Sequence, residues 1–228
     1  MAKTRTYNHF CPAARTLEVI GEKWSLLIVR DLLRGPRRFT DLLQGLHDLT
    51  PKWLTLRLRD LEAAGIVARS QEPGRREVWY ALTPSGRDLA PVVAALNAWG
   101  VEHALRPPSP DERVSIPATL NAIASYFNTR GRFPAEPTTW VVREPGGPDH
   151  AVHFARGRWR LGPSGSPPDL VIEADPAAWA AFIAAADNDR DDALESLHVE
   201  CTPAARREFE RLFGIEARPA TPRKGGIA

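Results

Sequence analysis

The stretch Phe39–Gly65, FTDLLQGLHDLTPKWLTLRLRDLEAAG, decides how the rest of the chain is read. It divides into two short helical segments with a tight break of three to four residues between them. Thr50 is suited to accept a hydrogen bond from the free amides of the next turn. Pro51 takes the first helical position, where a missing N–H costs nothing. Within the helix that starts there, Leu54, Leu58 and Leu61 recur at i, i+4 and i+7, leaving Lys52, Leu56 and Arg59 on the opposite side. A leucine stripe behind, bases in front and a shorter amphipathic helix before it have the form of a helix-turn-helix. Read alone, the segment fits an ordinary amphipathic surface helix equally well.

The flanking residues separate the two readings. Upstream, Cys11-Pro12 opens a first helix running to Ile20, and Lys23–Leu33 carries a second set of apolar residues at helical spacing, closed by Gly35-Pro36. Arg37 and Arg38 stand just before the helix pair, where a basic pair can meet phosphate. Downstream, 66–69 and 77–82 read as two strands joined by a Pro-Gly turn with Arg75 and Arg76 near its tip. A hairpin with a cationic tip directly after such a helix is a wing, suited to gripping the backbone beside a groove. Thr83-Pro84 repeats the Thr50-Pro51 device and predicts one unbroken helix to His103, with an apolar face of Leu89, Val92, Val93, Leu96 and Trp99. A face this apolar calls for a partner, and a second copy of the chain is the natural one.

The order helix, helix, helix pair, hairpin, long helix resembles the HxlR family of bacterial winged-helix transcription regulators. The matching strings are CPAARTLEVIGEKWSLLIVRDLLRGPRRFTDLL from Cys11, LTPKWLTLRLRDLEAAGIVAR from Leu49 and VWYALTPSGRDLAPVVAALNAWGVEH from Val78, which together span nearly all of residues 10–103. The resemblance implies a homodimer that binds double-stranded DNA, pairing through the first and the long terminal helices. On this reading Lys52, Thr55, Leu56 and Arg59 enter the major groove, helped by Thr50 and Pro51, while Arg75, Arg76 and Arg38 hold phosphates. It also suggests a role for Cys11, since some family members with a cysteine at this place are thiol-based sensors. Cys11 precedes Pro12 at a helix start, where free amides favour a thiolate, and Lys3, Arg5 and Arg15 are near in sequence. A small core residue of the first helix is the equal alternative.

Length and charge are consistent with more than this one module. At 228 residues the chain has room for two domains. Formal net charge is +2, but residues 1–105 hold 15 Lys and Arg against 11 Asp and Glu, whereas the remainder holds 15 against 17. The first half is therefore the better partner for a polyanion. With 43% hydrophobic and 25% charged residues the composition is that of a folded globular protein. No apolar run approaches the ~20 residues that span a bilayer, and the opening MAKTRTYNH lacks the form of a signal peptide. Two cysteines make no disulfide framework, so the expected compartment is the cytoplasm.

The best boundary is the proline-rich break that begins at Arg106. It separates a DNA-binding and dimerisation domain (1–105) from a second domain (114–216) through a linker (106–113), with a disordered basic tail (217–228) at the end. The second domain reads as a helix over 118–128, then strands at 139–143, 150–154, 158–161 and 169–173. A strongly apolar helix over 176–186, a strand at 197–201 and a helix over 203–213 complete it. The order strand, Asp-Pro, apolar helix, strand, helix resembles the sterol carrier protein fold, giving an α+β class for the whole chain. That family encloses an apolar tunnel for lipid-like molecules, which implies a small hydrophobic ligand. Trp179 and Phe182 then line a cavity, or else pack a plain core. Asp187–Asp192 stands where many members of that family have a glycine-containing turn, and reads as a solvated acidic turn rather than a calcium loop.

No catalytic constellation is visible in the sequence: there is no Walker loop, no GxGxxG after a strand, no HExxH and no GxSxG. Six scattered histidines and two distant cysteines have no zinc spacing, so neither a metal nor a cofactor is expected, and no enzymatic activity. A competing class of function is a ligand carrier or scaffold whose winged module serves only to dimerise. The outward cations on the helix and the wing argue against it, because dimerisation alone requires none.

Overall fold

A computed structural model describes residues 6–46, 48–71, 74, 77–163, 167–186 and 189–215. The chain divides into two compact units, Met1–Val93 and Ala94–Ala228. That division falls inside the helix α6 (Ala90–His103) rather than in the proline-rich stretch that follows it.

The first unit contains α1 (Pro12–Ile20), α2 (Ser25–Leu32), β1 (Arg37–Arg38), α3 (Phe39–Gly45), α4 (Pro51–Ala63), β2 (Val67–Gln71), β3 (Val78–Leu82) and α5 (Pro84–Arg87). Its sheet has the order β1-β3-β2, antiparallel throughout, with Val67 opposite Leu82 and Gln71 opposite Val78. The strand β1 was not expected: Arg37 and Arg38 pair with Tyr80 and Trp79, so the basic pair forms the third strand of the wing sheet. Two residues with no apolar alternation give no periodic signal, and only pairing makes them a strand. Leucines from α2, α3 and α4, among them Leu32, Leu42, Leu54, Leu58 and Leu61, meet Val67 and Leu82 in one core.

The expected unbroken helix from Pro84 is instead two pieces, α5 and α6, parted at Asp88 and Leu89. Pro91 supplies the reason. It has no N–H for the carbonyl four residues back, and its ring crowds that carbonyl, so the ladder from α5 cannot run through it. Gly86 fixes α5 from the other side, since a Cβ there would overlap the Ile66 carbonyl oxygen.

The second unit contains most of α6, then α7 (Ile116–Arg130), β4 (Thr138–Arg143), β5 (Asp149–Ala155), β6 (Arg158–Leu161), β7 (Leu170–Glu173), α8 (Pro176–Ala184), α9 (Arg190–Glu195), β8 (His198–Cys201) and α10 (Pro203–Phe213). The five strands lie in the order β6-β5-β4-β7-β8, antiparallel except for the parallel pair β4 and β7. Strand alternation divides the side chains. Trp140, Val142, Val152 and Ile172 join the large core with Phe127, Phe182 and Phe209 from the helices, whereas Val141, Ala151 and Val171 form a small cluster of their own.

Helix α7 is longer at both ends than its apolar spacing predicted. Ser115 caps it by accepting from the Ala118 amide, and Gly131 at φ +66° ends it. The acidic turn expected around Asp187–Asp192 is in its described part a helix, α9, with Asp191 and Asp192 in the first turn, where the helix dipole favours carboxylates. Asp187 and the tail 217–228 lie outside the described residues, so neither the first half of that turn nor the expected disorder of the tail is described.

Candidate nucleic-acid interface

Helix α4 is set by its own first turn. The Thr50 hydroxyl accepts from the Trp53 amide at 3.4 Å, Pro51 is at N1, and the Thr55 hydroxyl donates to the Pro51 carbonyl at 2.8 Å. The connection from α3 is pinned by Leu46 and Leu49, 3% and 5% exposed, and turned by Asp48 at φ +67°. It is one residue longer than the three to four expected, because both leucines return to the core before the cap forms.

Around α4 the side chains sort into two opposite arcs. Leu54, Arg57, Leu58 and Leu61 are buried. Lys52 and Arg59 are exposed, Thr55 and Leu56 are half-buried beside them, and all four share the arc opposite the leucines. Neither the Lys52 nor the Arg59 side chain makes an ion pair with a described residue.

Three neighbouring residues escaped the pattern reading. Trp53, next to Lys52, is 54% exposed. Arg69 is exposed on β2, opposite Tyr80. Arg57, a charge inside the leucine stripe, is buried and bound to Asp60 and Glu22. An amphipathic template has no place for an inward cation, so only exposure and contacts find it.

The wing is locked to the end of α4 by a hydrogen-bond knot. The Thr83 hydroxyl lies 2.6 Å from the Gly65 carbonyl, the Ser85 hydroxyl donates to the same carbonyl at 2.9 Å, and Arg87 donates to the Leu82 carbonyl at 2.7 Å. These bonds fix the base of the hairpin relative to the helix. Arg75 and Arg76 lie outside the described residues.

Arg38 is differently placed from Lys52. Its guanidinium is 2.9 Å from Glu77 and 3.6 Å from Asp41, and it lies over the Trp79 ring. These contacts tie its charge into the wing base, so a phosphate there has to compete with two carboxylates.

Cys11 is the N-cap residue of α1, half-buried, with a free thiol. Arg15 pairs with Glu18 at 3.2 Å, and Lys3 and Arg5 lie outside the described residues. Glu18 also accepts from the Tyr7 amide at 2.8 Å and the Thr6 hydroxyl at 2.9 Å, which together with Arg15 hold its carboxyl below the usual range. Cys201 in β8 is half-buried, and burial pushes its thiol up.

In the second unit Trp179 and Phe182 are 1% and 0% exposed. Trp179 donates its indole N–H to the Thr119 hydroxyl at 2.7 Å, and Phe182 stacks on Phe209. The apolar void beside Trp179 is about 10 Å³, room for about one water molecule. Of the two readings kept open for these side chains, the geometry is that of core packing. Among the described residues no group of His, Cys, Asp or Glu is placed to hold a metal ion, and no helix is long and apolar enough to cross a membrane.

A capped outward helix behind a short helix, followed by a hairpin clamped to its end, defines a winged helix-turn-helix protein, the class whose second helix lies against duplex DNA. The HxlR-like helix-turn-helix family model matches residues 19–107. An uncharacterized HTH-type transcriptional regulator of Synechocystis sp. is 41% identical over 93 residues, 40% of this chain and 69% of its own length. The regulator YybR of Bacillus subtilis is likewise 41% identical over 93 residues, covering 40% of this chain and 73% of its own. Among solved structures, the reduced form of the redox regulator HypR is 38% identical over 40% of this chain and 92% of its own, with a TM-score of 0.39. The chain belongs to the HxlR-like helix-turn-helix family of transcription regulators. These similarities lie in the first part of the chain and leave the second unit's role to be argued from its own residues.

Proposed function

We propose that the protein regulates transcription as a homodimer that reads a pseudo-palindromic operator. Residues 1–105 bind DNA and dimerise, 106–113 link, and 114–216 receive a signal in the cytoplasm. The observation that carries the DNA reading is the outward arc of α4. Lys52 and Arg59 stand unpaired by described carboxylates, opposite a buried face that holds the helix rigid. In the groove these two, with Thr55 and Leu56, face base edges while Thr50 and Pro51 meet the backbone. The wing residues Arg75 and Arg76 hold phosphates and carry no sequence information. Dimerisation is supported by α6, on which Val92, Leu96 and Trp99 recur at i, i+4 and i+7 and are 40%, 50% and 58% exposed. A monomer gains nothing by leaving that stripe in water.

The second unit's resemblance to sterol carrier proteins rests on its element order and supports a role in sensing a small molecule that shifts the population of binding-competent dimers. Cys11, at a helix start and within reach of solvent, supports a second input by thiol oxidation. The decisive experiment pairs light scattering of the purified chain with gel shifts on the DNA upstream of its own gene. A dimer that retards this fragment and spares an unrelated one is expected. A monomer indifferent to every duplex tested overturns the reading.

A further inference from the structure

We propose that the second unit holds a binding site for a small amphipathic carboxylate, a monoanionic acid with an apolar body, in the cleft where Arg132 stands over Tyr126. The cleft measures about 270 Å³, close to the lower end of the roughly 300–1,000 Å³ range of ligand sites. It is far larger than the void beside Trp179. Half-buried Val101 and Tyr126 give it an apolar part, above two buried rings. Phe127 and Phe213, 1% and 6% exposed, meet edge to face at 5.3 Å between ring centroids.

Arg132 is held there as a fixed cation. Its Nη1 donates to the Leu212 carbonyl at 2.8 Å, its guanidinium lies 5.3 Å over the Tyr126 ring, and its own carbonyl accepts from the Trp159 indole N–H at 3.0 Å. One carbonyl uses one of five guanidinium donors, and Arg132 makes no ion pair with a described residue. Arg190 on the same wall is oriented by the Phe213 and Ala185 carbonyls at 2.7 and 2.8 Å. Glu102, the one acid among the described lining residues, is paired with Arg130. A preoriented guanidinium beside the half-buried Tyr126 and Val101 selects a carboxylate for its head and a small apolar body.

This deepens the sensing role proposed above and rests on it only for the effect on DNA. Val101 and Glu102, which line the cleft, belong to the last turns of α6, the helix that carries the Leu96 and Trp99 stripe. An occupant therefore touches the proposed dimer helix directly.

The test uses the full chain and three probes with matched apolar bodies: octanoate, octan-1-ol and octylammonium, followed by calorimetry and thermal melting. Octanoate is expected to bind saturably with a Kd below ~1 mM and at least about tenfold more tightly than either other probe. Arg132→Gln is expected to remove that preference, and Tyr126→Ala to weaken octanoate several-fold while keeping the preference for an anion. Circular dichroism checks each variant's fold, and Tyr126→Ala decides if Arg132→Gln does not fold. Equal binding of octanoate and octan-1-ol, no uptake of octanoate at ~10 mM, or unaltered uptake by a folded variant overturns the site. Gel shifts without any probe read the DNA function separately. DNA binding without octanoate uptake sinks only the cleft, and octanoate uptake without DNA binding sinks only the operator reading.

Discussion

The Arg57 guanidinium lies 3.0 Å from the Asp60 carboxylate one turn along α4 and 3.9 Å from Glu22, which precedes α2. Arg57 is only 7% exposed, whereas both acids remain largely in solvent. Its stem therefore fills the space between Leu54 and Leu61, and its head reaches the surface at the connection between α1 and α2. One residue both packs the inner arc of the recognition helix and ties it to the first two helices.

Arg57→Ala is accordingly expected to lower stability by about 1–3 kcal/mol, through lost packing more than lost charge. Arg57→Met keeps most of the stem and is expected to recover more than half of that loss. Urea denaturation of the two variants measures the difference, and equal losses would mean that the ion pairs dominate.

Gly86→Ala should be among the more damaging small changes in the first unit. The added methyl overlaps the Ile66 carbonyl, which belongs to the backbone at the base of the wing and cannot rotate away. A loss of about 1–3 kcal/mol is expected, with the wing displaced relative to α4. Melting temperature and gel shifts check both effects together. Gly100→Ala, where an added Cβ meets nothing, serves as the control.

Lys52→Ala and Arg59→Ala are expected to weaken binding to the cognate operator far more than to random duplex, each by about 1–3 kcal/mol if the side chain reads a base edge. The double change Arg75→Ala with Arg76→Ala is expected to weaken all sequences alike and to reduce the slope of log K against log salt by about 2, one phosphate for each arginine. Titrations at two salt concentrations separate the pairs. Unchanged binding by the wing variant would remove the wing from the interface.

The N-terminal segment should loosen in acid. Glu18 has a folded-state pKa depressed first by the Tyr7 amide and then by the Thr6 hydroxyl, with Arg15 adding to both. A depressed carboxylate contributes stability that is fully present above its unfolded pKa and is lost as pH falls through the lower, folded value. Protection of the Tyr7 amide is thus expected to persist at neutral pH and to fade only below the ordinary carboxylate range. Glu18→Gln, which keeps an acceptor but no charge, should weaken the segment at neutral pH and flatten its acid dependence, as amide exchange will report.

If Cys11 is a sensor, a mild thiol oxidant should release the protein from its operator and Cys11→Ser should not respond. Cys201→Ser, with a half-buried thiol pushed up by its surroundings, should behave as the parent. Parallel gel shifts before and after oxidant settle this, and release that survives in Cys11→Ser would assign the sensitivity elsewhere.

Where local chemistry is decisive, the residues could be read without coordinates. Thr50-Pro51 and Thr83-Pro84 each begin a helix, because a hydroxyl acceptor followed by a residue without an N–H suits a helix start in any surroundings. The runs 139–143 and 150–154 likewise announce strands, since β-branched and aromatic side chains such as Trp140, Val141, Val142, Val152 and Phe154 fit a pleated surface.

The amino-acid sequence by itself thus determined the Thr-Pro helix starts, the longer strand segments, the family and the outward arc of α4, all properties of neighbours along the chain. Only the tertiary structure decided that Arg37 and Arg38 form a strand, that Arg57 turns inward, that Arg38 is taken by Glu77, and that Trp179 and Phe182 are core while Arg132 stands in a cleft. Each of these depends on groups tens of residues apart arriving at one place. Burial and charge pairing are set by that arrival, and no spacing rule within a single helix or strand encodes it.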